Sequence, residues 1–214
     1  MTANPNLNNV RSETMRRRLI AATVELLIEV GYPNTTGVAV CRRAGVTRGA
    51  LNHHFPDFAD LLIATLQQIY NAMTDTGTPE DAAMGPLERM VATNYQRVIQ
   101  PEFKAVIELW LASRNDPEVR AALSQAILEA SELFSPQARL SNRQDGHPAG
   151  SGFPIQGEVA AVYHTLMESL IGIGLGRATN GGSRSAHENQ VLQTLTQIAR
   201  QQDSAGGSHE QTSR

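Results

Sequence analysis

Apolar residues recur at intervals of three and four along this 214-residue chain, as in Leu19, Ala22, Leu26 and Val30, and again in Phe58, Leu61, Leu62, Leu66, Ile69 and Met73. Such spacing lines one face of an α-helix, and no stretch shows the alternation of a half-buried strand. The fold class is therefore all-α. Punctuation agrees: Asp116-Pro117-Glu118 joins an N-cap type to a first-turn proline and acid, and Ser185-Ala186-His187-Glu188 spells a capping box ahead of Val191 and Leu192. Helices are expected over about 14–30, 36–43, 47–54, 56–75, 85–100, 102–114, 117–134, 156–177 and 186–201. The stretch from Ser135 to Pro154 carries Pro136, Gly146, Pro148, Gly150 and Gly152 and is expected as a long loop. The polar segment from Asp203 onward is expected as a disordered tail.

Hydrophobic residues make up 41% and charged residues 18%, a globular balance in a chain long enough to bury a core. A single cysteine, Cys41, excludes an intrachain disulfide framework and a cysteine-based metal cluster, and points to a reducing, cytoplasmic setting. Cys41 falls on the inward side of its helix, where an inert packing role is expected. No run of eighteen apolar residues occurs, and the start MTANPNLNNVRSETMRRR lacks the apolar core of a signal peptide, so neither export nor a membrane partner is expected. The net charge of −3 conceals an asymmetry: residues 1–55 hold seven arginines against three glutamates, whereas the remainder is strongly acidic. The front end is the one suited to a polyanion.

Within that front end, Thr36 to Arg43 and Thr47 to His54 read as two short helices around the turn Ala44-Gly45-Val46. Gly45 stands where the turn needs a positive φ, Thr36 and Thr47 are N-cap types, and Val40, Val46, Leu51 and Phe55 supply the apolar contacts between the helices. The second helix then turns Arg48, Gly49, Asn52 and His53 outward, a set able to hydrogen-bond base edges or let the backbone approach DNA.

A basic helix, then Gly31-Tyr32 and Thr35-Thr36, a short helix, Ala44-Gly45-Val46-Thr47, Arg48-Gly49-Ala50-Leu51, a histidine pair and Phe55-Pro56 before a long amphipathic helix: over residues 14–66 this closely resembles the TetR family of transcriptional regulators. The resemblance implies a DNA-binding domain over 1–56, a ligand-binding and dimerisation domain over 57–202 and the tail 203–214. It further implies that Thr36 and Thr47 meet phosphates at helix starts, that Arg48 reads a base edge, and that His53 touches a phosphate. Asn52 has the chemistry to read adenine. Arg16, Arg17 and Arg18 are expected to add non-specific attraction. Two departures stand out: family members usually carry tyrosine at the position of Asn52 and lysine at that of Phe58, both as phosphate contacts. Phe58 also begins the apolar stripe of its helix, so burial is an equal reading.

The implied protein is a homodimer that binds double-stranded operator DNA and a small-molecule effector, acts as a repressor, and carries no catalytic site, metal or cofactor. Its last two helices, with stripes Val159, Val162, Leu166, Leu170 and Val191, Leu195, Ile198, are expected at the dimer interface. Effector contacts are expected from Tyr95, Trp110, Arg114, His164 and Glu168, scattered polar anchors among many aliphatics, which suits an apolar ligand. His164 and Glu168, four apart, either satisfy each other or face that ligand. Gly172, Gly174 and Gly176 permit a close helix contact or mark a kink. The rival readings are an enzyme with an incidental helix-turn-helix, which needs a nucleophile or metal set, and a ligand-free architectural DNA binder, which needs basic charge throughout.

Overall fold

A computed structural model describes residues 5–75, 83–133 and 158–210. Among them the helices are α1 (Pro5–Val30), α2 (Gly37–Ala44), α3 (Arg48–His54), α4 (Phe58–Asp75), α5 (Pro86–Val98), α6 (Glu102–Asn115), α7 (Pro117–Leu133), α8 (Glu158–Thr179) and α9 (Glu188–Glu210), with a 3-10 turn over Tyr32–Asn34. The all-α expectation holds among the described residues. The expected loop from Ser135 to Pro154 lies outside the described residues.

Three boundaries differ from the sequence reading. Helix α1 begins at Pro5 rather than near 14, because a proline suits the first helical position and no breaker follows it before Gly31. The expected capping box at Ser185 does not form its return contact: α9 starts at Glu188, whose carboxylate turns inward to Arg177 and Tyr95. The expected disordered tail from Asp203 is helical as far as Glu210. Asp203 supplies the reason, since its Oδ1 and Oδ2 accept hydrogen bonds from the Leu87 and Glu88 amides at 3.0 Å each and cap the first turn of α5.

The chain packs as two compact units, Met1–Asn71 with Lys104–Leu128, and Ala72–Phe103 with Glu129–Arg214. The core of the first centres on Leu19, Ile20, Leu26, Val40, Leu51, Phe55 and Leu61, with Cys41 buried among them as its packing role requires. There Lys104 Nζ donates to the Ile28 carbonyl at 2.5 Å, near the end of α1, and Glu108 accepts from the Tyr32 amide at 2.9 Å. In the second unit α5 packs on α8 and α9. Helix α8 runs through its glycines without a break, and a Cβ on Gly174 would collide with the Phe103 ring, so this glycine serves close approach.

Candidate nucleic-acid interface

The two short helices are capped at both N-termini and at the C-terminus of α2. Thr36 Oγ1 accepts from the Ala39 amide and Thr47 Oγ1 from the Ala50 amide, each at 3.2 Å, from extended N-cap backbones. Used as acceptors in the caps, both exposed hydroxyls keep their protons to donate outward. Gly45 takes φ 63 and ψ 42, the left-handed conformation that ends a helix. Arg18 then closes α2 by donating from Nη2 to the Ala44 carbonyl at 2.6 Å, and the Val46 amide returns to Cys41 O at 3.0 Å.

This geometry sets α3 with Leu51 and the following Phe55 buried, so that Arg48, Gly49, Asn52 and His53 all lie exposed on the outer face. The adjacent rings of His53 and His54 stand 5.3 Å apart and edge-on. Among the described residues no group of three or more His, Cys, Asp or Glu side chains could hold a metal ion. Phe58 is half-buried against the core, so burial accounts for the departure at this position. With Gly37, Arg48, Leu51, Asn52, Phe55 and Pro56 it lines a notch of about 260 Å³ beside α3.

Charge segregates on this unit. Arg43 donates to Glu25 and Glu29 at 3.0 and 2.5 Å, and its hydrogen bond holds the Glu29 carboxyl below the usual range. Arg17 pairs with Glu13 at 3.0 Å, so all three glutamates of residues 1–55 are taken up. The arginine triplet does local work that its composition did not announce: Arg16 lies 5.2 Å over the Phe55 ring, Arg17 is paired, and Arg18 caps α2.

The five sequence-derived effector candidates are placed unequally. In the first unit Trp110 is half-buried beside Tyr70, whose hydroxyl burial pushes up to about 12 against a Trp110 hydrogen bond, and Arg114 is exposed near the end of α6. In the second unit Tyr95 is buried, and its hydroxyl donates to Glu188 Oε1 at 2.7 Å while accepting from Arg184 Nη2 at 2.9 Å. Arg177 donates to the same carboxylate at 2.7 Å, and this hydrogen bond, opposed by burial, holds Glu188 at about 2. Tyr95 is therefore part of a satisfied ion network. His164 and Glu168 are exposed on α8. Thr93, which no sequence signal singled out, is buried on α5 with a hydroxyl that finds no hydrogen-bond partner among the described residues.

A capped helix-turn-helix with a polar outer face, carried on an otherwise helical chain, defines a DNA-binding regulator. Residues 19–65 match the model of the bacterial regulatory proteins of the tetR family. The chain is 32% identical to the HTH-type transcriptional regulator BetI of Escherichia coli over 148 residues, 64% of this chain and 75% of that protein. The protein belongs to the TetR family of transcriptional regulators. Its fold is shared with the multidrug binding protein EbrR crystallised with imidazole, at a TM-score of 0.56 and 19% identity over 86% of this chain and 93% of that one. It is shared equally with FadR of Bacillus subtilis in complex with stearoyl-CoA, at 0.59 and 18% over 84% and 97%. No described helix is long and apolar enough to cross a membrane.

Proposed function

We propose that this protein is a cytoplasmic one-component repressor, without catalytic activity, that leaves its operator when a small molecule binds. The carrying observation is the outward set of α3, presented by a helix-turn-helix whose N-termini and turn are capped by Thr36, Gly45 and Thr47. Arg48 reads a guanine edge through its two-pronged guanidinium, Asn52 reads adenine, and Gly49 admits the DNA backbone. Thr36, Thr47 and His53 meet phosphates, which position the head without specifying sequence. Residues 1–56 thus form the DNA-binding part and residues 57–202 the effector and dimerisation part.

Two copies reading half-sites about 34 Å apart require a homodimer. Leu166, Leu170 and Leu195 are buried within one chain, so the dimer face is assigned instead to Leu175, Val191 and Ile198, which are exposed on α8 and α9. Gly172 and Gly176 leave open space on α8 for a partner helix. The effector reading is supported by the Thr93 hydroxyl, a buried polar group without a partner among the described residues that a ligand can satisfy. Of the candidates that share the second unit with Thr93, Tyr95, His164 and Glu168 carry less of that role because the first is satisfied and the other two are exposed. The bound molecules of EbrR and FadR differ so widely that the ligand class has to be read from this chain: mainly apolar, with a hydrogen-bonding group for Thr93.

The test is to select duplexes from random DNA with the purified protein, then titrate them against a panel of small molecules with DNA release as readout. Arg48→Ala should abolish preference for the selected sequence and leave weak, salt-sensitive binding to any duplex. Equal losses on specific and random DNA overturn the role of Arg48. Absence of any selected sequence overturns the regulator's proposed operator chemistry as a whole.

A further inference from the structure

The outer face of α2 carries a residue that neither the core nor the proposed polar contacts explain. Val38, in the first turn of α2, is 54% exposed, although valine at a helical surface position contributes nothing to helix stability. Its neighbours on both sides line clefts shared with the proposed reading residues. Gly37, one residue before it, lines the notch with Arg48 and Asn52. Arg42, one helical turn after it, lines a second cleft with Thr47 and Ala50 of the α3 start. Both clefts are lined in part by residues of α3, and along α2 Val38 falls between Gly37 and Arg42.

Around this valine the surface is cationic and hydrogen-bonding: Arg42 and Arg48 are exposed and the Thr36 hydroxyl faces out. A protein partner with an apolar face fits such surroundings poorly, whereas a DNA groove fits them, and its base edges offer one apolar group, the 5-methyl of thymine. We infer that Val38 is a specificity-determining residue that packs on a thymine methyl at the edge of the half-site read by Arg48 and Asn52. The inference rests on the DNA-binding reading above and adds to it a contact from α2 that selects thymine without a hydrogen bond.

The experiment uses the full-length protein and its selected duplex, with each thymine replaced in turn by deoxyuridine, which lacks only the methyl. One position per half-site should cost the native protein about three- to fivefold in affinity, the worth of roughly one buried methyl group. Val38→Ala should bind the thymine duplex more weakly by a similar factor and be indifferent to uridine at that position, while positions elsewhere behave as in the native protein. Val38→Thr, which keeps the shape and β-branching, controls for local folding and should retain part of the discrimination. A scan flat at every thymine, or a uridine loss undiminished in Val38→Ala, overturns the inference while the selected duplex and its Arg48 dependence leave the DNA-binding reading standing. Failure to select any duplex overturns both.

Discussion

At the scale of single residues, two buried groups make opposite predictions. Glu188 is anionic and almost wholly enclosed, with Arg177, Arg184 and the Tyr95 hydroxyl on its carboxylate. Because its folded pKa of about 2 lies below the ordinary 4.5, the network stabilises the fold fully above about pH 5, and that contribution is lost as pH falls toward 2. Glu188→Gln should cost about 3 kcal/mol at neutral pH, at the low end for a broken buried pair because Arg184 can turn to water, and should flatten the acid limb of a stability profile. Chemical denaturation across pH 2–7 checks both, and a parallel pair of profiles would show that the carboxylate is not the group being titrated. Thr93 behaves the other way. Its hydroxyl, without a partner among the described residues, costs desolvation without return, so Thr93→Val should leave stability equal or raise it by about 1 kcal/mol. If an effector supplies the missing partner, the same substitution weakens effector-induced DNA release at least several-fold. A destabilised variant with unaltered release would remove Thr93 from the effector site.

At the scale of elements, α6 matters most to the reading head. Lys104 places a cation on the Ile28 carbonyl near the C-terminus of α1, and Glu108 accepts from the Tyr32 amide one turn along α6. The Glu108 carboxylate fits there because Gly31, at φ 76, has no Cβ to obstruct it. Removing both contacts, in Lys104→Met with Glu108→Ala, should raise amide exchange of the last turn of α1 and of Tyr32 by at least tenfold while α2 and α3 stay protected. Unchanged exchange would show that apolar packing alone holds α6 to this unit. The caps of α2 and α3 were legible from Thr36, Gly45 and Thr47 because caps are set by neighbours within three residues. The clasp of α6 was not, since its partners are 76 residues apart.

For the molecule as a whole, dimerisation and DNA affinity should fail together. Ile198 is exposed on α9 whereas Leu195 beside it is buried at 5%, so Ile198→Glu tests the interface without disturbing the core. Sedimentation should give monomers with a preserved melting temperature and lost operator binding, because a monomer reads one half-site. An intact dimer would move the interface off this face.

What the sequence by itself determined about this protein is whatever depends on short-range chemistry: the helical period, the ends of α2 and α3, the inward Leu51 and Phe55 and the outward Arg48, Asn52 and His53, and with them the family. What only the tertiary structure decided are the pairings made across long separations. Glu188 looked like a capping acid until Arg177, Arg184 and Tyr95 drew its carboxylate inward, since three donors at an enclosed carboxylate outweigh one exposed backbone amide. The segment from Asp203 looked like a tail until the first turn of α5, more than a hundred residues earlier, gave that carboxylate its amides. Leu195 looked like an interface residue because periodicity shows which face is apolar and is silent on which neighbour covers it.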